Sequence, residues 1–114
     1  MELETEELGG DVTLIRLRGR MDIRGAQEID LKFTAITSVK RGAYIADLSQ
    51  VDFLASIGIR TLLVSAKAAQ ARGGRMVLLN PTSLVADVLQ MSGITDILPV
   101  FNELDAARAA VTIS

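Results

Sequence analysis

The chain has 114 residues, 49% of them hydrophobic, and its formal net charge at pH 7 is −2. Because it contains no cysteine and no histidine, disulfides, thiolate nucleophiles, imidazole bases and zinc sites built from these ligands are excluded. The lack of a dense Lys/Arg cluster argues against nucleic-acid binding. The apolar runs fall short of the roughly 20 residues needed for direct membrane insertion. The acidic N-terminus is unlike a signal peptide, so we expect a single cytoplasmic domain, 1–114.

The first part of the chain predicts a β-hairpin. Hydrophobic and charged residues alternate over Val12–Arg18, which is the pattern of a partly exposed strand. The acidic segment Leu3–Leu8 is a weaker strand candidate, and Gly9-Gly10-Asp11 between the two segments favours a tight turn.

After the hairpin, helical and strand patterns alternate along the chain. The expected elements are a helix over Gly25–Ser38, a strand over Tyr44–Leu48, a helix over Ile57–Arg72, a strand over Met76–Leu79, a helix after Thr82, a strand over Ile97–Phe101 and a final helix capped by Asn102. Gly73-Gly74 predicts a helix end, and Pro99 predicts an edge strand. This order, β-β-α-β-α-β-α-β-α, favours an α/β fold in which helices cover a mixed, mostly parallel sheet.

Apolar spacing also predicts which side chains face the core. In the third helix we expect Leu84, Val85, Val88 and Leu89 to point inward. Gly93 is expected to end that helix. Met91 and Ile94 are expected to pack beside it, and a docking patch is the alternative.

The segment Val51–Leu63 carries the main candidate site, because a hydroxyl at Ser56 follows a short loop and opens a predicted helix. The first turn of a helix exposes unpaired amides and the positive end of the peptide dipole. Ser56 is therefore either an ordinary N-cap or an acceptor of phosphate, toward which Arg60 could lean from the next turn. A hydrolase nucleophile is excluded, since Leu54 stands where a glycine is needed and no histidine is available.

Three acidic residues have alternative interpretations. Asp22 in Gly19-Arg20-Met21-Asp22 belongs either to a simple turn or to the same surface as Ser56. Asp47 and Asp52 flank one strand end, where they serve as turn or cap residues or, as the alternative, bind magnesium. With magnesium, a nucleotide-handling enzyme would be a third functional class.

Taken together, these residues resemble the STAS domain, the family of sulfate-transporter cytoplasmic domains and anti-sigma factor antagonists. The resemblance covers nearly the whole chain from Val12 onward. Its motifs are Gly19 with Asp22, the segment Phe53-Leu54-Ala55-Ser56-Ile57-Gly58-Ile59, the turn Gly73-Gly74, and Met91-Ser92-Gly93-Ile94. The length is that of the stand-alone bacterial antagonists, which implies a STAS-type fold.

The resemblance implies a phosphorylation-controlled binding protein and not an enzyme. Its partners would be an anti-sigma factor serine kinase, bound by the unphosphorylated form so that a sigma factor is released, and a PP2C-type phosphatase. Ser56 would be the phosphorylated residue. The partner-binding residues would be Asp22, Ala55, Ser56, Ile57, Gly58 and Arg60. No catalytic residue, cofactor or metal is implied.

One part of the motif departs from the family pattern. Many members have Asp-Ser-Ser/Thr-Gly where this chain has Ala55-Ser56-Ile57-Gly58. The departure removes an acidic group that could orient the hydroxyl or contact the kinase. It leaves open a second hypothesis, a constitutive STAS adaptor subunit of a membrane transport or signalling complex.

Overall fold

The computed structural model describes residues 1–38 and 42–112. Over these residues the elements are β1 (Glu2–Gly9), β2 (Val12–Met21), α1 (Ile23–Ser38), β3 (Ala43–Leu54), α2 (Ser56–Ala71), β4 (Arg75–Leu79), α3 (Ser83–Ser92), a 3₁₀ turn (Ile94–Asp96), β5 (Val100–Phe101) and α4 (Leu104–Val111). The strands form one sheet in the order β1-β2-β3-β4-β5, antiparallel between β1 and β2 and parallel elsewhere. The predicted fold class and element order are confirmed.

The N-terminal hairpin forms as the alternation of Val12–Arg18 predicts. Gly9 and Gly10 reverse the chain with φ angles of 83° and 62°, a region that glycine adopts without strain. Beyond the turn, acidic residues of β1 lie opposite arginines of β2, and Arg16 forms an ion pair with Glu6 at 2.8 Å. Because these charges are solvent-exposed, the pair adds little stability, but it keeps this part of the sheet polar.

In the described part of the chain, three helices cover one face of the sheet and one helix covers the other. On the first face α1, α2 and α3 bury a core whose central side chains include Phe33, Leu62 and Leu89. On the second face α4 packs Ala107 and Val111 against β2, β3 and β4. Because α1 and α2 each follow a parallel strand, both begin at the edge where the carboxyl ends of β2 and β3 lie.

Two strands differ in length from the prediction. β3 does not end at Leu48 but continues to Leu54, because β2 pairs with it as far as Met21 and because Val51 and Leu54 are buried. The expected loop between strand and helix therefore shrinks to Ala55. β5 comprises two residues, since the chain before it forms a 3₁₀ turn, and it lies at the sheet edge as Pro99 predicts.

Helix ends are partly as predicted. Gly93 ends α3 in the left-handed conformation at φ 78°, which confirms its expected role. The prediction that Asn102 caps the last helix is wrong, because Glu103 occupies the N-cap position and α4 begins one residue later than that cap requires.

Two inward-facing predictions are also wrong. Leu84 is 57% exposed and Met91 is 88% exposed. The reason is that α3 contacts the sheet through the single stripe that contains Val85 and Leu89, both fully buried. Ile94, by contrast, packs into the core as expected.

Candidate functional site

The predicted site residues are brought together at the edge where β2 and β3 end. Met21, the last residue of β2, pairs with Leu54, the last residue of β3. The carbonyl oxygen of Met21 also accepts a hydrogen bond of 3.0 Å from the Ala55 amide. Asp22, directly before α1, and Ser56, the first residue of α2, therefore follow adjacent strand ends. This is the position at which open α/β sheets present their binding groups.

The start of α1 is capped by a carboxylate. Asp22 accepts a 2.8 Å hydrogen bond from the Gly25 amide and a longer one, 3.4 Å, from Nε of Arg20. The Gly25 amide, with help from Arg20, holds the pKa of the Asp22 carboxyl below its ordinary value. Asp22 therefore lies in a turn, as one of its two predictions has it, with the additional role of capping α1. It also lies beside the Ser56 segment.

The start of α2 has no such cap. Ala55 occupies the N-cap position, where it offers no side-chain acceptor, and Ser56 is the first helical residue. The interpretation of Ser56 as an N-cap is therefore wrong. The Ser56 side chain is exposed, and within the described part of the chain its hydroxyl has no hydrogen-bond partner.

The first turn of α2 leaves backbone donors available. The amides of Gly58 and Ile59 donate to the Ala55 carbonyl oxygen at 2.9 and 3.1 Å. The amides of Ser56 and Ile57 precede the first intrahelical hydrogen bond and have no helical acceptor. Since the first turn of α2 also contains no acidic side chain, its partial positive charge is not compensated locally.

Gly58 allows α2 to begin this close to the strand ends. A Cβ atom at this position would lie 2.7 Å from Leu54 Cδ1 and 2.9 Å from the carbonyl oxygen of Met21. Real Cβ atoms do not approach a backbone oxygen this closely without a shift. The role of Gly58 is therefore to bring the helix start against the sheet, and it is itself buried.

Arg60 and Ile57 face a groove between α1 and α2. The groove has a volume of about 310 Å³, and α1 contributes Gln27 and Asp30 to its lining. Arg60 is exposed and Ile57 is half-buried. Because the groove adjoins Ser56 and carries one charge of each sign, it extends the surface that a partner could contact.

Arg20 and Phe53 belong to the same edge, and the contact between them was missed by the sequence analysis. They are partners in the β2–β3 register, and the guanidinium carbon of Arg20 lies 4.3 Å from the centre of the Phe53 ring. Such a cation–π contact at an exposed site contributes about 0.5–1 kcal/mol. In the sequence, each of these residues directly precedes the last residue of its strand. Their pairing also requires that β3 extend to Leu54, which the sequence analysis did not predict.

The magnesium hypothesis for Asp47 and Asp52 is not supported by their positions. Both lie within β3, and a separation of five residues along a strand corresponds to about 16 Å. The Asp47 carboxylate accepts from the Ser49 amide at 2.9 Å. Over residues 1–38 and 42–112, no cluster of three or more acidic, histidine or cysteine side chains could hold a metal ion.

The length and polarity of the helices also bear on membrane insertion. None of the helices in the described ranges is both long enough and apolar enough to cross a bilayer.

Comparison with known proteins identifies the family. The STAS domain profile matches residues 2–107, which is most of the chain. The chain therefore belongs to the STAS domain family, as the sequence motifs indicate.

Similar proteins include stand-alone antagonists. BtrV of Bordetella bronchiseptica, which is classed by name with the anti-sigma factor antagonists, is 28% identical over 110 residues, covering 96% of this chain and 94% of its own. The unphosphorylated form of the anti-sigma factor antagonist SpoIIAA superposes with a TM-score of 0.77 at 25% identity, covering 99% of both chains. An anti-sigma factor antagonist of Mycobacterium paratuberculosis superposes with a TM-score of 0.87 at 21% identity, covering 98% of this chain and 94% of that one.

Proposed function

We propose that this protein is an anti-sigma factor antagonist whose binding is switched by phosphorylation of Ser56. In its unphosphorylated form it would bind an anti-sigma factor serine kinase and so release a sigma factor. A PP2C-type phosphatase would restore that form. The proposal is of a binding protein that supplies no catalytic residue of its own, and the expected cytoplasmic location remains part of it.

One observation carries the phosphorylation step: an exposed serine hydroxyl without a hydrogen-bond partner stands at the first position of α2. A kinase can reach this group without unfolding the helix or breaking a hydrogen bond, because Ser56 is exposed and its cap position is held by Ala55. The buried Ser65 and Thr61 of the same helix offer no comparable access.

A phosphate at Ser56 should be compatible with the fold. The group brings about −1.5 to −2 charges and three acceptor oxygens, and the free amides and dipole of the helix start favour an anion there. Arg60 lies four residues on, which is neighbouring spacing on a helix. Ala55 makes no side-chain hydrogen bond to the helix start, so these amides have no side-chain acceptor of their own.

The same phosphate should be incompatible with a bound partner. The candidate partner surface is formed by Asp22, Ala55, Ser56, Ile57 and Arg60, while Gly58, which was also expected to contact the partner, is buried and supports this surface from beneath. The surface is mixed in character and includes the carboxylate of Asp22 beside the Ser56 segment. A phosphate on Ser56 would place a second negative charge at this edge. A partner whose surface fits the neutral hydroxyl would then have to bury two like charges. Such mismatches cost several kcal/mol, and about 3 kcal/mol already weakens binding more than 100-fold.

The proposal is tested by measuring partner capture with three forms of the protein. Wild type, Ser56→Ala and Ser56→Asp are immobilised, exposed to lysate of the native cells, and the bound proteins are identified by mass spectrometry. We expect an anti-sigma factor to be captured by wild type and Ser56→Ala and to be lost with Ser56→Asp, while urea unfolding shows that all three are folded. Equal capture by Ser56→Asp would show that the charge mechanism is wrong.

The modification itself is measured separately, by tandem mass spectrometry of the protein from native cells before and after stress. Trypsin releases residues 42–60 as one peptide that contains both Ser49 and Ser56, so fragmentation must distinguish the two. Phosphate on Ser56 that changes with condition supports the switch. Its absence in every condition, with phosphatases inhibited, would favour the constitutive adaptor.

A further inference from the structure

The first strand, β1, forms an edge of the sheet, since within residues 1–38 and 42–112 it pairs with β2 on one side and with no strand on the other. In an antiparallel pair, alternate residues direct both backbone groups toward the neighbouring strand, and the residues between them direct both groups away. The Leu3 carbonyl oxygen accepts a 3.3 Å hydrogen bond from Nζ of Lys32 in α1, so it points away from β2. By the same alternation, Thr5 and Glu7 direct their N–H and C=O groups to the unpaired side.

The unpaired side of β1 is accessible at Thr5 and Glu7. Both residues are exposed, and so is Glu6 between them. The strand is covered only near its beginning, where Leu3 is buried in the core and the Lys32 side chain occupies the edge. β1 contains no proline. The backbone groups of Thr5 and Glu7, here termed the β1 edge, are therefore a template for the addition of another strand.

An acidic row of side chains runs along the β1 edge. Glu2, Glu4 and Glu6 share the sheet face opposite α1, where Arg16 and Arg18 of β2 lie beside them. Arg18 pairs with Glu2 at 3.6 Å and Arg16 pairs with Glu6 at 2.8 Å. Glu4 lies between these two pairs and has no ion-pair partner within the described residues. The row therefore carries an unneutralised carboxylate next to the open backbone.

The acidic row disfavours a second copy of this chain as the occupant. Since the outward groups belong to Leu3, Thr5 and Glu7, two β1 edges could pair only by placing these residues opposite one another. The glutamates between them would then also lie opposite one another. With Thr5 opposite Thr5, for example, each Glu4 would face a Glu6. Like charges directly opposite are destabilising, whereas basic side chains at alternate positions would place a cation beside each carboxylate, as β2 already does on its own side.

We propose that the β1 edge binds an extended basic segment of a partner protein, which hydrogen-bonds to the backbone of Thr5 and Glu7 and places alternate Lys or Arg side chains beside Glu4 and the rest of the acidic row. This is strand addition, in which backbone hydrogen bonds give affinity and alternate side chains give specificity. Glu7 adds a second negative charge on the other sheet face, since its carboxylate accepts only from the Thr13 hydroxyl within the described residues.

This site is separate from the phosphorylation site, and the proposal does not depend on the proposed function. Thr5 lies opposite Ile15, which is six residues before Met21 at the end of β2. Six residues of strand span about 20 Å. A basic segment can therefore occupy the β1 edge whether or not an anti-sigma factor is bound beside Ser56.

The test begins with amide hydrogen exchange of the ¹⁵N-labelled full chain. In the free protein the amides of Thr5 and Glu7 are expected to exchange at least about 10-fold faster than those of Glu4 and Glu6, which bond to β2. The probe is the capped peptide acetyl-Lys-Val-Lys-Val-Lys-amide, and the glutamate analogue acetyl-Glu-Val-Glu-Val-Glu-amide is its charge control. At low ionic strength we expect the lysine peptide to shift the amide signals of Thr5 and Glu7 and to protect both from exchange. The glutamate peptide is expected to do neither.

Two variants separate the contribution of the backbone from that of the charge. Thr5→Pro removes an outward N–H without removing a hydrogen bond to β2, and proline is tolerated in edge strands at such positions; we expect it to stay folded and to lose binding. Glu4→Lys keeps every backbone group and is expected to weaken the lysine peptide about fivefold. Asp87→Lys, the same change of charge at an exposed position of α3, is expected to leave the affinity unchanged.

Several outcomes would overturn the proposal. The edge would not be open if the Thr5 amide were as protected as that of Glu4 in the free protein, or if Thr5→Pro did not fold. Strand addition would be refuted if about 2 mM lysine peptide caused no shift, or if Thr5→Pro bound it as tightly as wild type. Equal weakening by Asp87→Lys and Glu4→Lys would show a general charge effect. Protection of Thr5 that rises with protein concentration would make a second copy the occupant.

Discussion

Replacing Gly58 by alanine tests whether the start of α2 is held tightly against the strand ends. The added Cβ would lie 2.7 Å from Leu54 Cδ1, 2.8 Å from Met21 Cγ and 2.9 Å from the Met21 carbonyl oxygen. The two side chains can rotate away, but the oxygen also accepts from the Ala55 amide at 3.0 Å. It cannot move without weakening that hydrogen bond.

The expected change in stability follows from three contributions. Overpacking of this kind costs about 1–3 kcal/mol, and a weakened hydrogen bond adds part of about 1 kcal/mol. Alanine is favoured over glycine by about 1 kcal/mol inside a helix, and this gain opposes the other two. We therefore expect Gly58→Ala to lower the free energy of unfolding by about 1–2 kcal/mol and the Tm by roughly 5–10 °C.

The measurement is urea unfolding at equilibrium followed by circular dichroism, with a thermal scan beside it. Ser56→Ala is the matched control, because it changes an exposed residue in the same helical turn and should stay within about 0.5 kcal/mol of wild type. If Gly58→Ala were as stable as wild type or more stable, helix propensity would dominate. The close approach of α2 to the Met21 carbonyl would then not be a constraint on this fold.

Two further predictions concern the cap of α1 and the core. Because the pKa of Asp22 is lowered in the fold, the ionised cap stabilises the protein above the unfolded-state pKa of about 4, and this contribution is lost as the pH falls through the lower folded-state pKa. Asp22→Asn, which keeps a cap, should flatten the pH dependence of the urea midpoint below about pH 4, and an unchanged slope would contradict this. Leu62→Ala, at a fully buried position, should cost about 2–5 kcal/mol in urea unfolding. Leu31→Ala, 84% exposed, should change stability by less than about 0.5 kcal/mol, and similar losses for both would contradict the assigned burial.

The departure from the family motif has a specific structural meaning. With Ala55 at the N-cap of α2, the helix start has no side-chain acceptor of its own, whereas α1 has one in Asp22. An acidic residue at position 55 would cap α2 and add a charge beside Ser56. The chain thus leaves the first amides of α2 for another acceptor, which in our proposal is the phosphate.

The sequence alone determined the order and type of the elements, because those depend on local patterns. The alternation of Val12–Arg18, the glycines of the hairpin turn and the stop at Gly73-Gly74 each act within a few residues of themselves. Pro99 likewise predicted an edge strand, since a missing N–H has the same consequence in any sheet. The four motifs together, in their order along the chain, indicated the family that the profile match then showed.

Only the tertiary structure decided where the strands end and which side chains meet. β3 runs to Leu54 because β2 supplies hydrogen-bond partners across its whole length, a fact that the composition of β3 does not contain. Met91 is exposed, although it is apolar, because no element covers that side of α3 in the part of the chain that the structure describes. The contact of Arg20 with Phe53 and the groove beside Arg60 both depend on residues distant in sequence. Pairing between distant segments is a property of the assembled sheet, so local patterns could not have predicted these sites.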